Sequence, residues 1–141
     1  MTLRVAIVHY DASNNRSIHE LVRALAGGIQ GQGHDVTLID ACREVGVSLT
    51  SFAYIVVGVV ADSLMSKSIP EPLVTFLRSA GHLSGKRSYA FVAKGGLRKR
   101  RVLSSLMKAM EMEGMFLKKS DILVKSAEAA IVGSRLHINR P

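Results

Sequence analysis

Leu3-Arg4-Val5-Ala6-Ile7-Val8-His9-Tyr10-Asp11-Ala12-Ser13-Asn14-Asn15-Arg16-Ser17 is the stretch on which the fold turns. Val5-Ala6-Ile7-Val8 is an unbroken apolar run rich in β-branched residues, the pattern of a strand covered on both faces. The run stops at His9-Tyr10, and Asp11 to Ser17 is a polar turn with several helix-capping side chains. From Ile18 the period changes. Ile18, Leu21, Val22, Leu25 and Ile29 fall at offsets 0, 3, 4, 7 and 11, which place one apolar stripe on a helix. A buried strand that passes through a short polar turn into an amphipathic helix is half of a βαβ unit. The start of such a helix offers unpaired N–H groups and the positive end of its dipole at the sheet edge. A small anion is the ligand this turn would hold.

The composition sets bounds on the rest. A chain of 141 residues can bury a core without metal or disulfide support. Apolar residues make up 48%, but aromatics are scarce at 5% and Trp is absent. The formal charge of +8 favours an acidic partner, nucleic acid or an anionic ligand. Cys42 is the only cysteine, which excludes an internal disulfide and fits a reducing compartment. The amino-terminal residues enter a strand without an apolar stretch of signal-peptide length. No apolar run approaches the roughly 20 residues needed to cross a bilayer. The expectation is a single domain over 1–141, soluble and cytoplasmic.

Beyond the first helix, Gly31-Gln32-Gly33 supplies C-cap chemistry and Val36 to Ile39 reads as a second strand. Asp40 to Thr50 has no convincing period and holds at most one or two helical turns. Tyr54 to Val60 is the strongest strand signal and is expected to be central. Ser68-Ile69-Pro70-Glu71 reads as the opening of a second helix, with Ser68 as cap, Leu73, Val74 and Leu77 as the buried stripe, and Gly81 beyond its end. A fourth strand is predicted over Tyr89 to Ala93. The third helix carries Leu103, Leu106, Met107 and Met110 and closes at Gly114, and a fifth strand includes Ile122-Leu123-Val124. Ala127 to Val132 forms barely two turns, which Gly133 stops. Strands alternating with helices indicate an α/β fold with a parallel sheet and right-handed crossovers. Ligands of such sheets bind beyond the carboxyl ends of the strands, where three loops converge: Tyr10–Ser17, Ala61–Lys67 and Lys94–Arg101.

The arrangement resembles the flavodoxin-like family over nearly the whole chain, to about Lys125. The likeness rests on the strand–polar turn–helix opening, on Phe52-Ala53-Tyr54-Ile55-Val56-Val57-Gly58, on Leu83-Ser84-Gly85-Lys86 and on Gly95-Gly96. It implies a three-layer α/β/α sandwich with a five-stranded parallel sheet in the order 2-1-3-4-5. It also implies that the three loops surround flavin mononucleotide (FMN). The first loop would hold the phosphate and the other two would clasp the isoalloxazine ring. Where flavodoxins commonly carry Ser/Thr-x-Thr-Gly-x-Thr, this chain has Asp11-Ala12-Ser13-Asn14-Asn15-Arg16. Ser13 stands in for a Thr, Asn14 tolerates the left-handed conformation of the Gly, and Asn15 and Ser17 are further donors. Arg16 would pair with the phosphate. Ala61, Asp62, Gly95 and Gly96 would border the ring. Leu64, Met65 and Leu97 supply aliphatic contacts there in place of the family's usual aromatics.

Arg98-Lys99-Arg100-Arg101 falls where the third helix begins, and positive charge there opposes the helix dipole by about 0.3–1 kcal/mol per charge. With Lys94 it forms a cluster expected to face an anion: the phosphates of a nicotinamide donor or an acidic redox partner. No aromatics are interleaved with these charges, which argues against nucleic acid. The five histidines show no metal-ligand spacing. Ser13, His9 and Asp62 lack the spacing of a hydrolase, and no nucleophile elbow is present. His9 reads as a packed residue, Cys42 as a small buried or half-buried apolar one, and Met107, Met110, Met112 and Met115 as core or edge packing. A short last helix would leave one sheet face thinly covered, and that predicts a homodimer through the carboxyl-terminal segment. The functional expectation is FMN binding for electron transfer or a small reductase activity, with no catalytic side chain assigned. The alternative is a cofactor-free module that holds an anionic partner on its basic loop.

Overall fold

The computed structural model describes residues 2–11, 17–44, 46–61, 69–93 and 98–139. Nine elements follow one another: β1 (Arg4–Tyr10), α1 (Ser17–Gly31), β2 (Asp35–Asp40), β3 (Tyr54–Val60), α2 (Glu71–Arg78), β4 (Arg87–Ala93), α3 (Lys99–Met112), β5 (Phe116–Leu123) and α4 (Ser126–Arg135). The strands form one parallel sheet in the order β2-β1-β3-β4-β5, the topology that the family likeness implied.

The all-apolar runs become the central strands because both of their faces are covered. Alternate residues of β3 enter two separate cores: Ile55, Val57 and Val59 pack beneath α2 and α3, while Tyr54, Val56 and Val60 pack beneath α1 and α4. A fully buried Ile or Leu such as Ile18, Leu25 or Leu73 contributes about 1.5–3 kcal/mol relative to an exposed one. Gly58 has a packing reason. It lies beside Phe91 in the register of β3 and β4, and a side chain there would collide with the Phe91 ring. The Phe91 and Tyr89 rings stack with centroids 6.1 Å apart, and the Tyr89 hydroxyl donates to Asp121 Oδ2 at 2.9 Å. Gly85 and Gly114 take positive φ in the turns that bring β4 and β5 side by side, where Gly85 N–H donates to Gly114 O at 2.7 Å.

The structure corrects four expectations. First, α4 does not stop at Gly133. It runs to Arg135, and Gly133 is buried inside it against α1. A methyl group on Gly133 would collide with the Leu25 carbonyl oxygen, and one on Gly28 with that of Ala130. The two glycines therefore let the backbones of α1 and α4 touch, and Gln32 Nε2 bridges them by donating to Gly133 O at 2.7 Å and Leu136 O at 3.0 Å. Leu136 and Ile138 are buried in the same core. This face is well covered, which removes the thin cover on which the homodimer rested.

Second, β5 runs over Phe116–Leu123, with Val124 outside it and 60% exposed. It is an edge strand of mostly polar residues, so its apolar signal survives only at its end. Third, α2 starts at Glu71 with Pro70 at the N-cap and no side-chain cap, so Glu71 is not at the third position of a capping box; Ser68 lies outside the described residues. Its buried residues are Leu73, Phe76 and Leu77, with Val74 half-buried. Fourth, Cys42 is exposed. Asp40 to Thr50 contains no helix among its described residues.

Candidate functional site

The carboxyl ends of β1, β3 and β4 lie side by side. Tyr10 pairs with Val59, Val60 with Ala93, and Ala61 N–H donates to Ala93 O at 3.2 Å. The residues that follow β1, β3 and β4 in sequence, 12–16, 62–68 and 94–97, lie outside the described residues. Ser13, Asn14, Asn15, Arg16, Asp62, Lys94, Gly95 and Gly96 belong to those segments. What the structure describes is the frame that holds them.

Two helices begin at this edge from opposite faces of the sheet. α1 opens at Ser17 on the face it shares with α4, while α3 opens at Lys99 on the face it shares with α2. The first turn of α3 holds Lys99, Arg100 and Arg101 with no acidic residue, and its N-cap, Arg98, makes no side-chain cap bond. Arg98, Arg100 and Arg101 are exposed and Lys99 is half-buried. The sequence thus placed this cluster correctly at the helix start, where the first turn carries no acidic residue to compensate its charge. Ala61 is buried, and its N–H is already committed to Ala93. It can contribute to the edge only through its carbonyl and methyl groups.

Behind the edge sits a polar layer. His9 is buried between Asp40 of β2 and Gly58 of β3, and its ring meets that of His19, in the first turn of α1, edge-on at 5.2 Å. Burial lowers the His9 pKa and His19 lowers it further, against the opposing pull of Asp40, Glu44 and Asp11. His9 is therefore a packed histidine, as its position at a strand end suggested. Cys42 Sγ donates to the Asp11 carbonyl at 3.4 Å, and Cys42 N–H to Asp40 Oδ1 at 2.9 Å. Partial desolvation, with the Asp40 and Asp11 carboxylates behind it, raises the thiol pKa despite the Asp11 hydrogen bond and the Arg43 charge. That environment disfavours the thiolate a nucleophile would need. Sequence reasoning did not single out His19; its place two residues into the helix that follows the polar turn was the available signal.

The aromatics decide how a flat ring would be held here. Of four Phe and three Tyr, six are buried: Tyr10, Phe52, Tyr54, Phe76, Tyr89 and Phe91. The seventh, Phe116, is exposed at the amino-terminal start of β5, the opposite end of the sheet. None falls in 12–16, 62–68 or 94–97.

Solved structures with the same frame are numerous. A flavodoxin from the domain Archaea matches with a TM-score of 0.71 at 21% identity, over 96% of this chain and 94% of that one. The fold is that of the flavodoxins. Flavodoxin 1 from Bacillus cereus matches with a TM-score of 0.73 at 14% identity, over 93% of this chain and 95% of its own. The two-electron reduced flavodoxin of Megasphaera elsdenii gives 0.72 at 17%, over 92% and 96%. No family model matches the sequence, and no curated protein is significantly similar to it. This flavodoxin fold is thus carried by a sequence far from those whose backbones it shares. Among the described residues no helix is long and apolar enough to cross a membrane.

Proposed function

We propose that the protein binds FMN at the carboxyl edge of β1, β3 and β4 and serves in electron transfer or a small flavin-dependent reduction. The observation that supports this reading is the strand order. It makes the gap between β1 and β3 the switch point of the sheet, and α1 opens just beyond it. In flavodoxins the same order sets FMN at that switch point. When bound, the flavin would supply the redox chemistry.

The chain's part is to bind and orient it. Ser13, Asn14, Asn15 and Ser17 would donate hydrogen bonds to the phosphate beside the free N–H groups of the first turn of α1, and Arg16 would add a charge-assisted pair. Ala61, Asp62, Gly95 and Gly96 would border the ring, with Leu64, Met65 and Leu97 packed on it. An aromatic contact is worth about 0.5–1.5 kcal/mol beyond burial, and its absence makes the binding weak. Lys94 and the Arg98–Arg101 cluster would take an acidic redox partner or the phosphates of a nicotinamide donor. The lone exposed thiol of Cys42 fits a reducing compartment such as the cytoplasm.

The placement of every aromatic in the core or at the far end of the sheet favours a second reading, a cofactor-free module that holds an anionic partner on the same basic rim. Titration of FMN fluorescence separates the two. Saturable quenching is expected, weakened about ten- to a hundredfold by Arg16→Ala, in keeping with loss of a charge-assisted bond worth about 1.5–3 kcal/mol. Absence of saturable quenching at high micromolar protein would assign the fold to the second reading.

A further inference from the structure

The opposite end of the sheet holds a cavity that the flavin reading does not use. It has a volume of about 390 Å³ and is lined by Tyr54, Lys118, Lys119, Arg135, Leu136 and His137. Tyr54 is the first residue of β3, paired with Arg87 at the start of β4, so this is the amino-terminal end of the strands. The seven residues of β3 separate it from the carboxyl edge by about 20 Å, at about 3.3 Å per residue.

Three features mark it as built for an anion. The first is the β-bulge in β5. Ser88 pairs with Leu117 but Tyr89 pairs with Lys119, so Lys118 is an extra residue in the ladder. In a regular strand two consecutive side chains point to opposite faces. Here the bulge brings Lys118 and Lys119 to one cavity, and bulges commonly re-aim side chains in this way. Lysines on an edge strand also discourage pairing with other chains, but that role does not require both on one side.

The second feature is Arg135, whose guanidinium has no carboxylate partner among the described residues and joins the two lysines on the cavity wall. The Asp121 carboxylate lies 3.7 Å from Lys119 Nζ and accepts from the Tyr89 hydroxyl, so it offsets one positive charge of three. The third is Gln32. By donating to Gly133 O and Leu136 O it pairs two carbonyls at the end of α4 and so lessens the repulsion that the negative end of the helix dipole exerts on an anion. The same two bonds, with Ile138 N–H donating to Leu136 O at 3.0 Å, hold Arg135 to His137 in place.

We propose that this cavity is a second binding site, for a small diphosphate, held by Lys118, Lys119 and Arg135 with His137 at its rim. A guanidinium beside two ammonium groups matches phosphate oxygens in both geometry and charge. The volume exceeds the needs of one phosphate. Tyr54 and Leu136 are almost fully buried and give little apolar wall for a larger organic part. The diphosphate is either free or carried by a nucleotide, and the two sources differ in what else they touch.

The test titrates inorganic pyrophosphate and, separately, ADP into the isotopically labelled protein and follows backbone amide shifts. Saturable shifts are expected at 118–119 and 135–137, weakened at least tenfold by the double substitution Lys118→Gln, Arg135→Gln and by raised salt. Arg98→Gln, Arg101→Gln at the other end of the sheet should leave them unchanged. Equal affinity for the two probes would assign recognition to the diphosphate alone; tighter ADP would assign a nucleotide source. Lys118 is exposed on a bulge, so Lys118→Gln alone carries the test if the double variant does not fold. No saturable shift at these amides, or wild-type affinity in a folded Lys118→Gln protein, would overturn the proposal.

Discussion

Gly27 and Gly28 are neighbours in α1 with opposite requirements. Nothing lies within 4 Å of a methyl group placed on Gly27, whereas one on Gly28 strikes the backbone of α4. Gly27→Ala should therefore stabilise the protein by about 0.5–1 kcal/mol, the helix-propensity gain alone. Gly28→Ala and Gly133→Ala should each destabilise it by about 1–3 kcal/mol or more, because rigid backbone must move apart. Urea unfolding midpoints of the three variants check this directly. His9 gives a second residue-level expectation. Its folded pKa lies below the ordinary value of about 6.5, so the unfolded state binds the proton more readily. The sign is that stability falls as pH drops below about 6.5, and the loss continues until the folded-state His9 also titrates. His9→Gln should flatten the stability profile between pH 7 and 5.5, and an unchanged slope would locate the proton uptake elsewhere.

Among the elements, α3 begins against its own dipole. Replacing Arg98, Arg100 and Arg101 with Gln should raise its stability at low salt by about 0.3–1 kcal/mol per charge and lower affinity for whatever anion the rim holds. A variant that gains stability and keeps every affinity would make the cluster a mere solvated turn. The position of this cluster was legible because the helical stripe of Leu103, Leu106 and Met110 fixes where α3 starts. The central strands were legible for a similar reason, since burial on both faces leaves an apolar run that nothing else explains. The edge was not. β5 is covered on few sides, so Phe116 to Asp121 keeps no alternation, and the bulge breaks the period further. Its Lys118-Lys119 pair carries no sequence pattern that sets it apart from surface charge. α4 was cut short because Gly133 reads as a helix stop, while its actual use is close approach to Gly28. That use depends on a residue 105 positions earlier, as the numbering of the two glycines shows, and no local pattern encodes it. At the candidate site, sequence located the edge and the basic helix start, but the loops that carry Ser13 to Arg16, Asp62, Gly95 and Gly96 lie outside the described residues.

For the whole molecule, the formal charge of +8 is not spread evenly in its consequences. One group of cations opens α3 at the carboxyl edge, and another lines the cavity at the amino end, about 20 Å away by the length of β3. That spacing exceeds the screening length of about 8 Å at physiological ionic strength, so the two regions should act on their ligands independently. The contact between α1 and α4 has a further consequence, and it concerns time. Gln32 and Gly133 are 101 positions apart, and synthesis runs from the first towards the second. At about 5–20 residues per second, α1 spends about 5–20 s outside the ribosome before α4 can reach it. During that interval all the strands can be made, yet the flank of α1 around Leu25 and Ile29 has no helix to rest on. The nascent chain is then most open to chaperones, and to aggregation, in the seconds before the last of α4 emerges.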